Sequence, residues 1–210
     1  QRYSPYRGLD VAFNPDSAPV SLDKVCTYNY TNLAESAKTG LLMTAAEVQF
    51  TLAEAYLKGY ATGSVSRNAA GGAYNNGVNW ALQMWIDGTS LSRPTDTWPQ
   101  DNAFAKWDTD LTNAELFERI MTQKYLTLFF TDIQAWVEYR RTGLPRITTP
   151  NATYCANANN TMPSRLLYPV VEYSNNATTL AEAIAKIGGD NIYSKGNLDK
   201  IWNNNNFYAQ

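Results

Sequence analysis

Histidine is absent from this 210-residue chain. That absence excludes Ser-His-Asp and Cys-His catalysis, histidine-ligated zinc and a histidine proton switch. Cysteine is scarce: Cys26 and Cys155 cannot form a four-thiolate metal site. They are either a disulfide of an oxidising compartment or buried small hydrophobes, and their spacing does not choose. Long apolar runs are missing as well, with none near the roughly 20 residues that cross a bilayer. No basic segment followed by an apolar run opens the chain, so no signal peptide is visible; a processed start looks the same. Neither sign of charge dominates: 17 basic and 19 acidic residues leave a net charge of -2. That balance argues against bulk attraction to nucleic acid or anionic lipid.

What is present is a 44% hydrophobic fraction, 13% aromatic residues and many asparagines and threonines. The length suits one domain or two small ones, with a core that needs no disulfide staples. The balance is nearer to secreted or surface-exposed binding proteins than to cytosolic enzymes.

Pro5, Gly8, Pro15, Pro19 and Gly40 break the first 40 residues into extended, irregular chain with a short strand or two. Helix signals then repeat one rule. Thr44 with Glu47, Thr112 with Glu115, Thr131 with Gln134 and Thr179 with Glu182 each read as a capping box before an apolar-periodic run. They predict helices over about 45–58, 113–129, 132–142 and 180–187. A further helix over about 76–87 is marked by Val78, Ala81, Leu82 and Trp85 and stopped by Gly88. The first helix carries two stripes, Val48–Leu52–Ala55–Tyr56 and Phe50–Ala53–Leu57. The third buries Leu116, Phe117, Ile120, Met121 and Leu128. Residues 59–76, "GYATGSVSRNAAGGAYNN", read as a flexible loop. Residues 88–111 form a long polar loop, and 144–178 a proline-marked one with a short extended piece at 165–170. Alanines at the crossing positions of the first two helices suggest a tetratricopeptide-like hairpin. The fold class is therefore mainly α, in helix pairs with long irregular loops.

Candidate chemistry is sparse. Asp108 with Asp110 and Glu115 with Glu118 are carboxylate pairs, but nothing marks two as facing across a cleft. Glu115 caps a helix, and Glu118 and Arg119 suit ordinary pairing along one. "GSVSRNAAGG" lacks the G-K-[ST] of a phosphate loop. Asp96, Asp101, Asp108 and Asp110 share a loop that offers calcium an incidental site, without EF-hand spacing. No metal or cofactor is expected. Sequons at Asn29, Asn151, Asn159 and Asn176 matter only in a eukaryotic secretory setting. Trp98 and Trp107, with Asp101 and Asn102 beside them, are the ligand-binding candidates: an indole face stacks on a sugar ring while amides and carboxylates bond its hydroxyls. The alternative is that the tryptophans pin the loop onto the helices.

The stretch "TDIQAWVEYRRTGLPR", 131–146, reads chiefly as a well-built helix. Thr131 and Gln134 start it, Ile133 and Val137 dock it on the third helix, and Arg140 and Arg141 oppose its dipole. Gly143 stops it and Pro145 forbids its continuation.

Taken in order, "LLMTAAEVQFTLAEAYLKG", "YNNGVNWALQMW", "ERIMTQKYLTLFFTDIQAWVEYRRTGLPRI" and "RLLYPVVEYSNN" resemble the carboxy-terminal half of SusD/RagB-like nutrient-binding outer-membrane lipoproteins of Bacteroidetes. The resemblance covers about residues 1–190. It implies a helical SusD-like fold without enzymatic activity. It also implies a lipid anchor outside this chain, placement on the extracellular face of the outer membrane, and a role as lid of a SusC-like TonB-dependent transporter. The implied ligand is an oligosaccharide or, in some members, an oligopeptide. Members are typically about twice as long, so residues 1–210 are expected to be the carboxy-terminal part of one SusD-like domain, with the amino-terminal half absent. The rival reading is a helical-repeat module that binds only protein. An enzyme is the weakest of the three.

Overall fold

Thr44 opens the first helix by accepting the Glu47 amide on its hydroxyl at 3.1 Å, which satisfies one of the free N–H groups of the first turn. The computed structural model describes residues 41–86, 105–129, 131, 133–147 and 166–187, and every regular element among them is a helix. These are α1 (Ala45–Leu57), α2 (Arg67–Ile86), α3 (Asn113–Thr127), α4 (Gln134–Thr142), α5 (Val170–Asn175) and α6 (Ala177–Ile187). The first four lie in a unit spanning Tyr30–Arg146, and the last two in a second unit. Both cysteines lie outside the described residues.

In the first unit α1 pairs most extensively with α2 and next with α3. Of the two apolar stripes on α1, the core takes Phe50, Ala53 and Leu57, joined by Ala46, and leaves Val48 and Leu52 exposed. Gly59 (φ 78°) turns the chain after α1, a conformation that disfavours any side chain. Leu116, Ile120, Met121 and Leu128 bury the expected face of α3, and Phe117 packs at its edge.

The second helix differs from expectation. It begins at Arg67, inside the stretch read as a flexible loop. Its glycines are contact points. A Cβ on Gly71 would lie 2.6 Å from Trp107 Nε1, and one on Gly77 would lie 2.8 Å from Phe50 Cε1. Each glycine costs about 1 kcal/mol of helix propensity, which the close approach of an aromatic ring offsets. Phe50 meets Tyr74 edge-on with centroids 6.0 Å apart, and Tyr74 meets Trp107 at 5.2 Å.

Two predicted caps are also corrected. The start of α4 has Ile133 at the cap, with no side-chain hydrogen bond. Thr131 is instead buried and donates its hydroxyl to the Leu128 carbonyl at 2.6 Å. Ile133 is 54% exposed, and no residue of α4 is fully buried, so the expected apolar docking of α4 through Ile133 is not what holds it. Thr179 sits within α6, which starts at Ala177. Thr112 and Glu115 do form the full reciprocal box on α3.

In the second unit residues 166–169 are irregular and Pro169 leads into α5. On α6, Leu180 is buried, with Ala183, Ile184 and Ile187 half-buried on the same face, the spacing of an amphipathic helix.

Candidate functional site

Three features of the first unit combine chemistry with position. The first is residues 105–112, the described end of the tryptophan-bearing loop. Ala105 is buried, and Trp107 is half-buried on the helical glycine at 71 and against Tyr74. Arg67 donates to the carbonyls of Thr109, at 2.9 Å, and Leu111. Arg119 donates to the Lys106 carbonyl. Asp108 accepts the Asp110 amide at 3.0 Å, a local turn. Trp107 thus serves as an anchor for this segment, with only part of its ring open to solvent. Trp98, Asp101 and Asn102 lie outside the described residues.

The second is a groove of about 270 Å³ where the start of α1 meets the end of α2. Trp80, 48% exposed, forms one wall. Gln83 and Met84 lie one turn further along the same helix face, and Leu41, Met43 and Thr44 close the groove from the other side. It offers a free indole surface, an amide and flexible apolar side chains, a set that holds a ring or a side chain of a small ligand. Sequence reasoning missed it. The signal is in the spacing: Trp80, Gln83 and Met84 fall at i, i+3 and i+4, off the Val78–Ala81–Leu82–Trp85 stripe that marks the helix in the sequence.

The third is an ionic cluster. Arg141 of α4 donates to both carboxylate oxygens of Glu54, at 2.8 and 2.7 Å, and to Glu138 at 2.8 Å. Lys58 lies 3.0 Å from Glu54, and Lys124 lies 3.3 Å from Glu138. Lys124 is buried and also reaches the Thr51 hydroxyl at 3.3 Å. Burial works to raise the pKa of Glu54, but the hydrogen bonds and charge of Arg141, helped by Lys58, hold it below the usual glutamate value. Burial likewise opposes the charge of Arg141, and Glu54 and Glu138 more than offset it, so its pKa is raised. A cluster in which each carboxylate meets two cations holds helices together.

The neighbouring charges follow the same rule. Glu118 pairs with Arg146 rather than along its own helix, and Arg140 lies 4.9 Å over the Trp136 ring. Of the four aspartates that share the tryptophan-bearing loop, Asp96 and Asp101 lie outside the described residues; among the described residues no group of three potential metal ligands occurs. Among them, too, no helix is long and apolar enough to cross a membrane.

No curated protein matches the sequence. A solved chain, "Bacteroidetes AC2a SusD-like", is similar in fold, with a TM-score of 0.66 and 24% identity over 79% of this chain. The match covers 31% of that chain, so this sequence spans about a third of the solved relative's length. A family model described as "Starch-binding associating with outer membrane" matches residues 3–169. With the helix pairs of the fold and a match over most of its length, the chain belongs to the SusD-like family.

Proposed function

We propose that the chain is part of a non-catalytic protein that binds nutrient oligosaccharide at the outer membrane and passes it to a SusC-like TonB-dependent transporter. The family match carries this reading. In the proposed arrangement the protein sits on the extracellular face, held by a lipid anchor outside this chain. Trp98, Asp101 and Asn102, with the open edge of Trp107, supply sugar contacts. Trp80 and Gln83 supply a second platform, where the half-exposed indole stacks on a ring and the amide bonds a hydroxyl.

One observation favours an oligopeptide instead. The Trp80 groove is lined by Met43, Met84 and Leu41, and flexible thioethers adapt to varied apolar side chains more readily than to sugar hydroxyls.

Titration with panels of oligosaccharides and oligopeptides, followed by tryptophan fluorescence and calorimetry, separates the two. Saturable glycan binding that weakens at least about tenfold in Trp80→Ala or Trp98→Ala supports the sugar reading. Peptide binding with the same sensitivity supports the second. Silence from both panels in the intact, folded protein rejects a nutrient-binding role, and release of a cleaved product rejects a non-catalytic one.

A further inference from the structure

Helix α4 is attached to its neighbours in an unusual way. None of its residues is fully buried, and it packs densely against none of α1, α2 and α3. Its ties to α1 and α3 run through charge: Arg141 to Glu54, and Glu138 to Lys124. Arg141 adds a long contact to the Met121 sulfur at 3.9 Å. At nine residues, α4 is shorter than the roughly 12–15 residues at which an isolated helix is even marginal, and its first turn lacks a side-chain cap.

Breaking a buried ion pair is normally costly because it strands a charge. Here each charge keeps a partner on its own side of the contact. Glu54 retains Lys58, the residue that caps the end of α1, at 3.0 Å. Lys124 retains the Thr51 hydroxyl at 3.3 Å. Arg141 and Glu138 retain each other at 2.8 Å within α4. Beyond the helix, Leu144 packs against the core and Arg146 pairs with Glu118, so the chain stays tethered at that end.

We propose that α4 is an ionically latched helix, which swings off the α1–α3 core and returns without unfolding that core. The latch is Arg141–Glu54 with Glu138–Lys124, and the chain stays anchored on both sides, by buried Thr131 before the helix and by Leu144 with Arg146 after it. Salt acts on the device through its open state: the paired side chains are largely shielded while latched, at 18% and 10% exposure for Arg141 and Glu54, and screening favours them once they separate into solvent.

Hydrogen exchange read by mass spectrometry on the whole protein tests this. Raising salt from about 0.1 M to about 1 M shortens the screening length from about 10 to about 3 Å. Exchange in residues 134–142 is expected to rise about two- to threefold while 45–57 and 113–127 change little, the mark of local opening. Arg141→Met at low salt is expected to reproduce that pattern, and the milder Glu138→Gln to give part of it. Salt-independent exchange of α4 in the wild type overturns the proposal. So does a rise shared equally by all three helices. Should Arg141→Met fail to fold, the wild-type salt series decides alone.

Discussion

Arg141 grips both oxygens of Glu54 across 87 positions of sequence, at 2.8 and 2.7 Å. The same guanidinium reaches Glu138 one turn back along its own helix. One side chain therefore joins α4 to α1, and its removal leaves Glu54 with Lys58 alone. Loss of half of a buried pair costs about 3–5 kcal/mol; with partial exposure and a remaining cation, Arg141→Met should cost about 2–3 kcal/mol. Glu54→Gln should cost less, since Arg141 keeps Glu138. Urea unfolding of both variants gives the order, and equal losses would contradict the arrangement.

Acid should weaken the fold through Glu54. Its pKa in the folded state is lowered, so the unfolded chain binds the proton more readily. The stabilisation is complete above the unfolded glutamate value of about 4.3 and is lost as pH falls through the lower folded value. The groups facing it are Lys58 and Arg141. The chain has no histidine, so stability should be nearly flat from about pH 5 to pH 8. Thermal melts across this range check both parts, and Glu54→Gln should flatten the acid limb.

Alkali should act through Tyr74. Burial pushes its phenol pKa up, against the opposing charge of Arg119, and its hydroxyl is buried without a partner. A raised folded pKa gives stability that is full below the unfolded value of about 10 and is lost as pH rises above it. Tyr74→Phe keeps the ring against Phe50 and Trp107 while removing the orphaned hydroxyl. It should be neutral or stabilising by up to about 1 kcal/mol and should reduce the alkaline loss, as melts at pH 8 and above pH 10 will show.

Two glycines of α2 should respond in opposite directions. Gly77→Ala drives a methyl to 2.8 Å from the Phe50 ring, an overpacking that costs about 1–3 kcal/mol. Gly72 has nothing within 4 Å of the added methyl, so Gly72→Ala should stabilise α2 by about 0.5–1 kcal/mol. Chemical denaturation of the two variants provides the comparison; a shared sign would mean that propensity, not space, governs α2.

The threonine caps are separable in the same way. Thr112→Ala breaks the reciprocal box on α3 and should cost about 1 kcal/mol. Thr179, inside α6 and exposed, should change stability by no more than about 0.5 kcal/mol on replacement by alanine.

What the sequence determined by itself was local. The box at Thr112, the left-handed stop at Gly143 (φ 71°) and the buried face Leu116–Ile120–Met121 depend on neighbours within a turn, so spacing alone reveals them. The order of its motifs also pointed to the family. Tertiary structure decided the rest. It chose which stripe of α1 faces inward, and it extended α2 back through Gly71, which reads as loop because its partner, Trp107, is distant in sequence. It turned Thr131 from a cap into a buried donor. It set Trp80 beside a groove and Trp107 against Tyr74. It gave the arginine that periodicity assigns to a helix dipole a carboxylate on another helix. Each outcome rests on a contact between segments far apart in the chain, and the energy of such a contact is not written in either segment alone.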